Sequence, residues 1–212
     1  AVTSPLLSAN VCKLVELYYD VNYQSPKKGN AAFLSAIEAY KPDLVVLSSF
    51  SPGKINQPSL NFLELIKEKS GVSFIHLWHD SVSLGEPGYR LLSSPLVDLH
   101  VALDSSNLID SGVHLDKFLR LWAPLDRTIF NMAPDEPRTI DTSFLGSTSS
   151  YRDIRKPYLD HLESNGLNLF RSGGQLDNQL SLEEYAAIFM RSKISINFAF
   201  SVGSACQLKV RV

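Results

Sequence analysis

The sequence predicts an α/β chain of two open parallel sheets covered by helices, and three observations carry that reading. Short apolar runs rich in Val and Leu alternate with segments of helical spacing. A proline-rich acidic stretch, Ala133-Pro134-Asp135-Glu136-Pro137, interrupts the alternation, and the same rhythm restarts beyond it. Strand–helix–strand alternation is the pattern of parallel sheets, because parallel neighbours need a crossover between them. The expected division is a first lobe over 1–132, a linker over 133–140 and a second lobe over 141–212. The second lobe has three strands and two helices before the chain stops, so the expectation is an incomplete lobe.

The elements follow in order. Apolar residues at Ala32, Phe33, Ala36, Ile37 and Tyr40 have helical spacing, so a helix is expected over 31–40, ended by Pro42. Asp43 to Phe50 is a short, nearly continuous apolar run, the signature of a strand buried on both faces. Leu60 to Lys69 is amphipathic and Gly71 caps it. Strands are expected at 72–78, 96–103 and 117–122, with a short helix beginning at 105–111. Beyond the linker come a strand at 141–145, a helix at 152–165 stopped by Gly166, a strand at 167–170, a helix opened by Ser181, and a strand at 193–200. Ser181 with Glu184 three residues later makes a capping box.

Composition excludes several classes. Apolar residues are 44% and charged residues 20%, an ordinary globular balance. A formal net charge of −2, with no clustered basic residues, gives no electrostatic basis for nucleic acid. Lys27-Lys28 reads as a solvated loop pair. Two distant cysteines, Cys12 and Cys206, make neither a disulfide framework nor a zinc spacing and read as buried thiols. No apolar run reaches the ~18 residues of a membrane span. The expectation is a cytoplasmic protein, with contact at a membrane surface left open.

In open parallel sheets ligands bind outside the carboxyl ends of the strands. Ser48 to Gly53 follows the strand at 43–50 and offers small polar groups to a sugar, or is a plain loop. His79 and Asp80 follow the strand at 72–78; an imidazole there can exchange a proton near neutral pH, or be a satisfied structural histidine. His76 points to the opposite face from His79, since strand side chains alternate, so the two share no metal ion. His100, inside a strand, reads as packing. The stretch Gly146-Ser147-Thr148-Ser149-Ser150-Tyr151-Arg152 is the most informative: a tight turn, hydroxyls, N–H groups and a helix N-terminus, with Arg152 and Arg155 nearby, form a cradle for a diphosphate. The plainer alternative is a capped turn with solvent-exposed arginines. Gly173 and Gly174 permit close backbone approach, and Lys209 and Arg211 lie at the same sheet edge. No acid/base carboxylate pair, nucleophile elbow or metalloprotease motif is present.

The run Thr142-Ser143-Phe144-Leu145-Gly146-Ser147, followed by Tyr151-Arg152, Leu159, Leu162 and Gly166, resembles the opening of the C-terminal lobe in bacterial glycosyltransferases related to the spore-coat maturation proteins, the family-1-like transferases. Ser181-Leu182-Glu183-Glu184-Tyr185, Arg191 to Phe198 and Gln207 to Val212 continue the pattern, so the resemblance covers about residues 140 to 212. Before that it runs only through Lys41-Pro42-Asp43-Leu44-Val45-Val46, His79-Asp80 and the sheet rhythm. The resemblance implies two Rossmann-like lobes (GT-B type) and transfer of a sugar from a UDP- or GDP-linked donor to a glycan, lipid or protein acceptor, with no bound metal. It places the donor diphosphate on Gly146 and Arg152, and the transferred sugar near His79 and Asp80. The chain departs from the family in lacking the Phe-Glu pair and ribose-contacting glutamate after Arg211, in carrying Val210 where a glycine is common, and in lacking a glycine-rich turn before the first helix. Two other readings stay open: a non-catalytic two-lobed sugar-binding protein, with Trp78 and Trp122 as stacking platforms, and a truncated transferase acting through protein contacts.

Overall fold

The computed structural model describes residues 12–18, 25–48, 50–51, 54, 57–79, 86–103, 115–121, 128–130, 137–148, 154–172 and 180–198. The chain divides into two compact units, one of Cys12–Ala123 and the other of Ala1–Val11 with Pro124–Val212. Both are α/β, and every strand pairing in them is parallel.

In the first unit, helix α1 (Pro26–Tyr40) leads into β1 (Leu44–Ser48), α2 (Leu60–Ser70), β2 (Ser73–Trp78), α3 (Glu86–Ser93), β3 (Leu99–Ala102) and β4 (Phe118–Arg120). The sheet order is β1-β2-β3-β4. Helix α1 starts five residues earlier than its apolar spacing indicates. Ser25 caps it by accepting from the Lys28 N–H, and Pro26 occupies the first turn, where a missing N–H costs nothing. Lys27 and Lys28 are thus helical, not loop residues. Lys41 ends the helix in the left-handed conformation, φ 44°, just ahead of Pro42. Helix α2 is capped by Ser59 and closed by Gly71 at φ 69°, a conformation glycine adopts without steric cost.

Strands that advance in one direction with right-handed crossovers place all their helices on one face. The core agrees: Phe33 of α1, Leu60, Leu63 and Ile66 of α2, and Leu91 and Leu92 of α3 join Leu47, Phe74 and Trp78 of the sheet in a single cluster. On β1 only Val45 and Leu47 turn toward it. Leu44 and Val46 are 45% and 48% exposed, so this strand is not buried on both faces as its composition suggests, because no described helix covers its second face.

The third strand is also shorter than its apolar run. Lys67 Nζ donates to the carbonyls of Pro95 (3.0 Å) and Leu96 (2.8 Å), which turns those residues out of the ladder. The same ammonium pairs with Asp98 at 2.6 Å, and the other Asp98 oxygen accepts the Phe74 N–H at 2.8 Å. Burial pushes the Asp98 carboxyl up, but these hydrogen bonds outweigh it and hold the group below its ordinary value. Cys12 is exposed, not buried; among the described residues ahead of α1, Leu17 is the one that packs against the core. Helix α3 has no counterpart in the spacing-based reading.

In the second unit, β5 (Ile140–Leu145), α4 (Arg155–Ser164), β6 (Leu169–Ser172), α5 (Leu182–Arg191) and β7 (Ser192–Ser195) form a sheet of order β6-β5-β7. The capping box at Ser181 and Glu184 is present, with bonds of 3.1 and 2.7 Å. Strand β6 sits two residues later than its apolar run, because Arg171 within it bonds Asp160 (2.9 Å) and Glu163 (2.7 Å) of α4 and fastens helix to sheet. Strand β7 ends at Ser195, short of the expected Phe200. The centre of this sheet is polar: Ser192 Oγ donates to Ser143 Oγ at 2.8 Å, and Ser143 Oγ lies 3.2 Å from Ser195 Oγ.

Neighbouring leucines on α2 test the packing directly. Leu63 is fully buried and Leu65 is 44% exposed. Leu63→Ala is expected to cost about 3 kcal/mol and Leu65→Ala under about 1 kcal/mol, read from urea midpoints.

Candidate functional site

The carboxyl ends of the strands carry the candidate residues, one set in each unit. In the first unit His79 directly follows β2 and is exposed. Its Nε2 lies 2.7 Å from Oγ of Ser48, the last residue of β1. Register pairs Ser48 with Leu77, two positions before His79, so Ser48 and His79 belong to the face turned away from the helices. Asp80 lies outside the described residues.

His76 is on the other face, as alternation requires, and is 1% exposed. His76 Nε2 lies 3.2 Å from the Phe50 carbonyl, to which it donates, while His76 Nδ1 is buried without a hydrogen-bond partner. Trp78 Nε1 donates to His100 Nδ1 at 3.1 Å, which requires the neutral ring with its proton on Nε2. The His100 ring stacks on Phe118 at 5.0 Å, and His76 meets Trp78 edge-on at 4.3 Å. His100 is therefore packing. Trp78, buried and bonded to it, is not an exposed platform for a sugar; Trp122 lies outside the described residues. Spacing arguments missed this buried aromatic web, although His76 and Trp78, two apart on one strand, signalled a shared face.

Burial is the main cause that lowers His76 to about 3, reinforced by the neighbouring His100. His100 falls to about 4 through burial and the charge of Lys117. Among the described residues no group of three His, Cys, Asp or Glu side chains is placed to hold a metal ion.

In the second unit the strand order has a switch point. The chain steps from β5 to β6 on one side, then returns past β5 to β7 on the other. In open parallel sheets the carboxyl edge at such a point, here of β5 and β7, is where ligands bind. Gly146 and Ser147 sit there. The Gly146 N–H donates to the Ser172 carbonyl at 2.9 Å and so belongs to the ladder, leaving the following residues to meet a ligand. Arg155, the first residue of α4, is 6% exposed, not a solvent-facing arginine. Its Nη1 donates to the Ser147 carbonyl at 3.2 Å, and its guanidinium lies 5.7 Å from the Phe198 ring centre. Phe198 also packs edge-on against Phe144 at 5.6 Å. The arginine braces the turn after β5 against the segment after β7. The first turn of α4 holds no acidic residue, and Ile154 at its N-cap supplies no capping bond. Arg152, Gly173, Gly174, Lys209 and Arg211 lie outside the described residues. No helix among the described residues is long and apolar enough to cross a membrane.

No protein-family model matches the chain, and neither a curated protein nor a solved structure matches it.

The buried histidines set a pH dependence. Both have folded values below the ordinary 6.5, so the unfolded chain takes up protons first. Their stabilising contribution is whole above about pH 6.5 and is lost as pH falls toward their folded values, at no more than about 1.4 kcal/mol per pH unit for each. The urea midpoint of the first unit is expected to fall between pH 6.5 and pH 5, above the carboxylate range. A flat profile there would contradict the assignment.

Proposed function

We propose that the chain is a glycosyltransferase of the GT-B type, moving a sugar from a UDP- or GDP-linked donor to a hydroxyl acceptor. The observation that carries this reading is the turn after β5: it lies at the switch point of a parallel sheet, ahead of a helix N-terminus, and is braced by the buried guanidinium of Arg155. Such an edge suits an anion with a flat, hydrogen-bonding nucleoside attached.

In the proposed reaction the bond between the anomeric carbon and the diphosphate breaks, and the leaving oxygens gain negative charge. Stabilising that charge is where catalysis is gained. The N-terminus of α4, Arg152 and Arg155 supply it. Ser147 accepts Arg155 through its carbonyl and so keeps the guanidinium beside the turn. Gly146, still held in the ladder by its N–H, leaves no side chain between the strand end and the diphosphate. Gly173 and Gly174 admit the nucleoside closely, and Lys209 and Arg211 add positive charge. His79 bonds the transferred sugar or takes the acceptor hydroxyl's proton, with Asp80 as its neighbour.

A thermal-shift series tests the reading. UDP, GDP and UDP-glucose are each added to the full chain at increasing concentration. At least one is expected to raise Tm progressively, by the equivalent of about 2.7 kcal/mol at a hundred times its Kd. Arg155→Met, compared at its own starting Tm, is expected to lose most of the shift. No shift with any of the three would count against a nucleotide-sugar site.

A further inference from the structure

The segment after β1 closes on itself. The Ser51 carbonyl accepts the Lys54 N–H at 3.3 Å, and the Lys54 carbonyl accepts the Gln57 N–H at 3.1 Å. Gln57 Oε1 then returns to accept the Ser51 N–H at 2.6 Å. A buried side-chain amide thus clips two successive turns into one unit. Among the described residues, the one hydrogen bond that ties this unit to the sheet is His76 Nε2 to the Phe50 carbonyl, at 3.2 Å. The Phe50 ring belongs to the core cluster, so the bond and the ring hold the segment at the same place.

The bond to Phe50 has a fixed direction. A carbonyl only accepts, so Nε2 carries the ring proton and Nδ1 keeps a bare lone pair. Nδ1 is buried without a partner, so a second proton there meets no acceptor. No counter-ion shares the interior: the buried polar residues described in the first unit are Gln57, His76, Ser94 and His100. His100 of β3 and His79 after β2 act against a charge on the ring, and Lys117 ahead of β4 acts likewise on His100. On the covering helices, Glu38 of α1, Glu68 of α2 and Arg90 of α3 are exposed. Glu64 accepts the Ser94 hydroxyl at 2.7 Å, and Lys67 is paired with Asp98.

We propose that His76 is a proton-released latch: the neutral ring pins the clipped segment over the core, and protonation frees Phe50, Ser51, Lys54 and Gln57 while the sheet stays paired. Release brings the ring to water, so the freed state takes up a proton at the ordinary histidine value of 6.5 and the pinned state does not. Release is therefore favoured as pH falls below about 6.5. His100 takes no part, because Trp78 holds its Nδ1 within the sheet. The segment borders the carboxyl end of β1, and the latch acts whether or not the chain binds a nucleotide-sugar.

Amide hydrogen exchange in the full chain, read as protection factors at pH 7 and pH 5, tests the latch. The Ser51, Lys54 and Gln57 amides are each hydrogen-bonded and report the segment. The most protected amides of the β1–β2 ladder report opening of the whole unit. From pH 7 to pH 5 the segment amides should lose about twentyfold in protection, the linkage of one histidine released to its ordinary value. Global opening frees His76 and His100 together, so the ladder amides should lose roughly five-hundredfold. In His76→Gln, whose side-chain amide can still donate to the Phe50 carbonyl, the segment's loss should shrink below about twofold. Equal losses in segment and ladder amides, or no loss in the segment, overturn the proposal, and these wild-type readings decide it even if the variant does not fold. A folded His76→Gln that keeps the twentyfold loss overturns it as well.

Discussion

Parallel pairing is the constraint from which the rest of this molecule follows. It sends every carboxyl end in a sheet to the same edge, and it obliges the chain to return over a face between strands. Where successive strands advance in one direction, as in β1-β2-β3-β4, the returning helices gather on one face. That accounts for Leu63 and Leu91, from the two crossover helices, meeting in one cluster while Leu44 and Val46 stay exposed; Phe33 of α1, ahead of the first strand, joins the same cluster. Where the direction reverses, as in β6-β5-β7, the sheet has a switch point, the place where open parallel sheets bind ligands. The described candidates Ser48, His79, Gly146 and Ser147 sit at such edges because of backbone topology, before any side-chain chemistry is considered.

The two units hold these edges in different ways. In the first, imidazoles do it: His76 reaches the Phe50 carbonyl within the core, and His79 meets the Ser48 hydroxyl on the opposite face. The first contact ties the segment after β1 to β2, and the second ties the ends of the two strands together. Keeping His76 and His100 neutral is the cost of this arrangement, since an imidazolium inside an aromatic cluster is poorly solvated. In the second unit an arginine does the work, with Arg155 spanning from the α4 N-terminus to the Ser147 carbonyl and the Phe198 ring. A guanidinium suits that place because it stays charged when buried and presents donors in several directions.

The parts legible in the sequence were those set by local chemistry. Gly71, the Ser181–Glu184 capping box and the opposed faces of His76 and His79 each depend on a few adjacent residues. The parts that were not legible depend on partners far along the chain. The apolar run at 96–103 reads as a long strand until Lys67, from α2, claims the carbonyls of Pro95 and Leu96 at its start. Arg155 reads as a phosphate-binding or a solvent-exposed arginine, and its burial against the Ser147 carbonyl and the Phe198 ring needed the fold. The start of α1 was legible in principle, since Ser25-Pro26 is a helix opening, but the scarcity of apolar residues between 25 and 31 hid it. Ser48 was visible as a small polar residue after a strand, while its bond to His79 needed the β1–β2 register.

The central claim is that the turn after β5 receives a diphosphate. Nitrogen–proton correlation spectra of the full chain during titration with UDP test it most directly, because they report position as well as binding. The account predicts saturable shifts in the amides of Ser147 and Thr148, in the first turn of α4 and in the Arg155 Nε–H, with the amides of α2 unmoved. Saturable shifts confined to other surfaces, or none at all with either UDP or GDP, would contradict it.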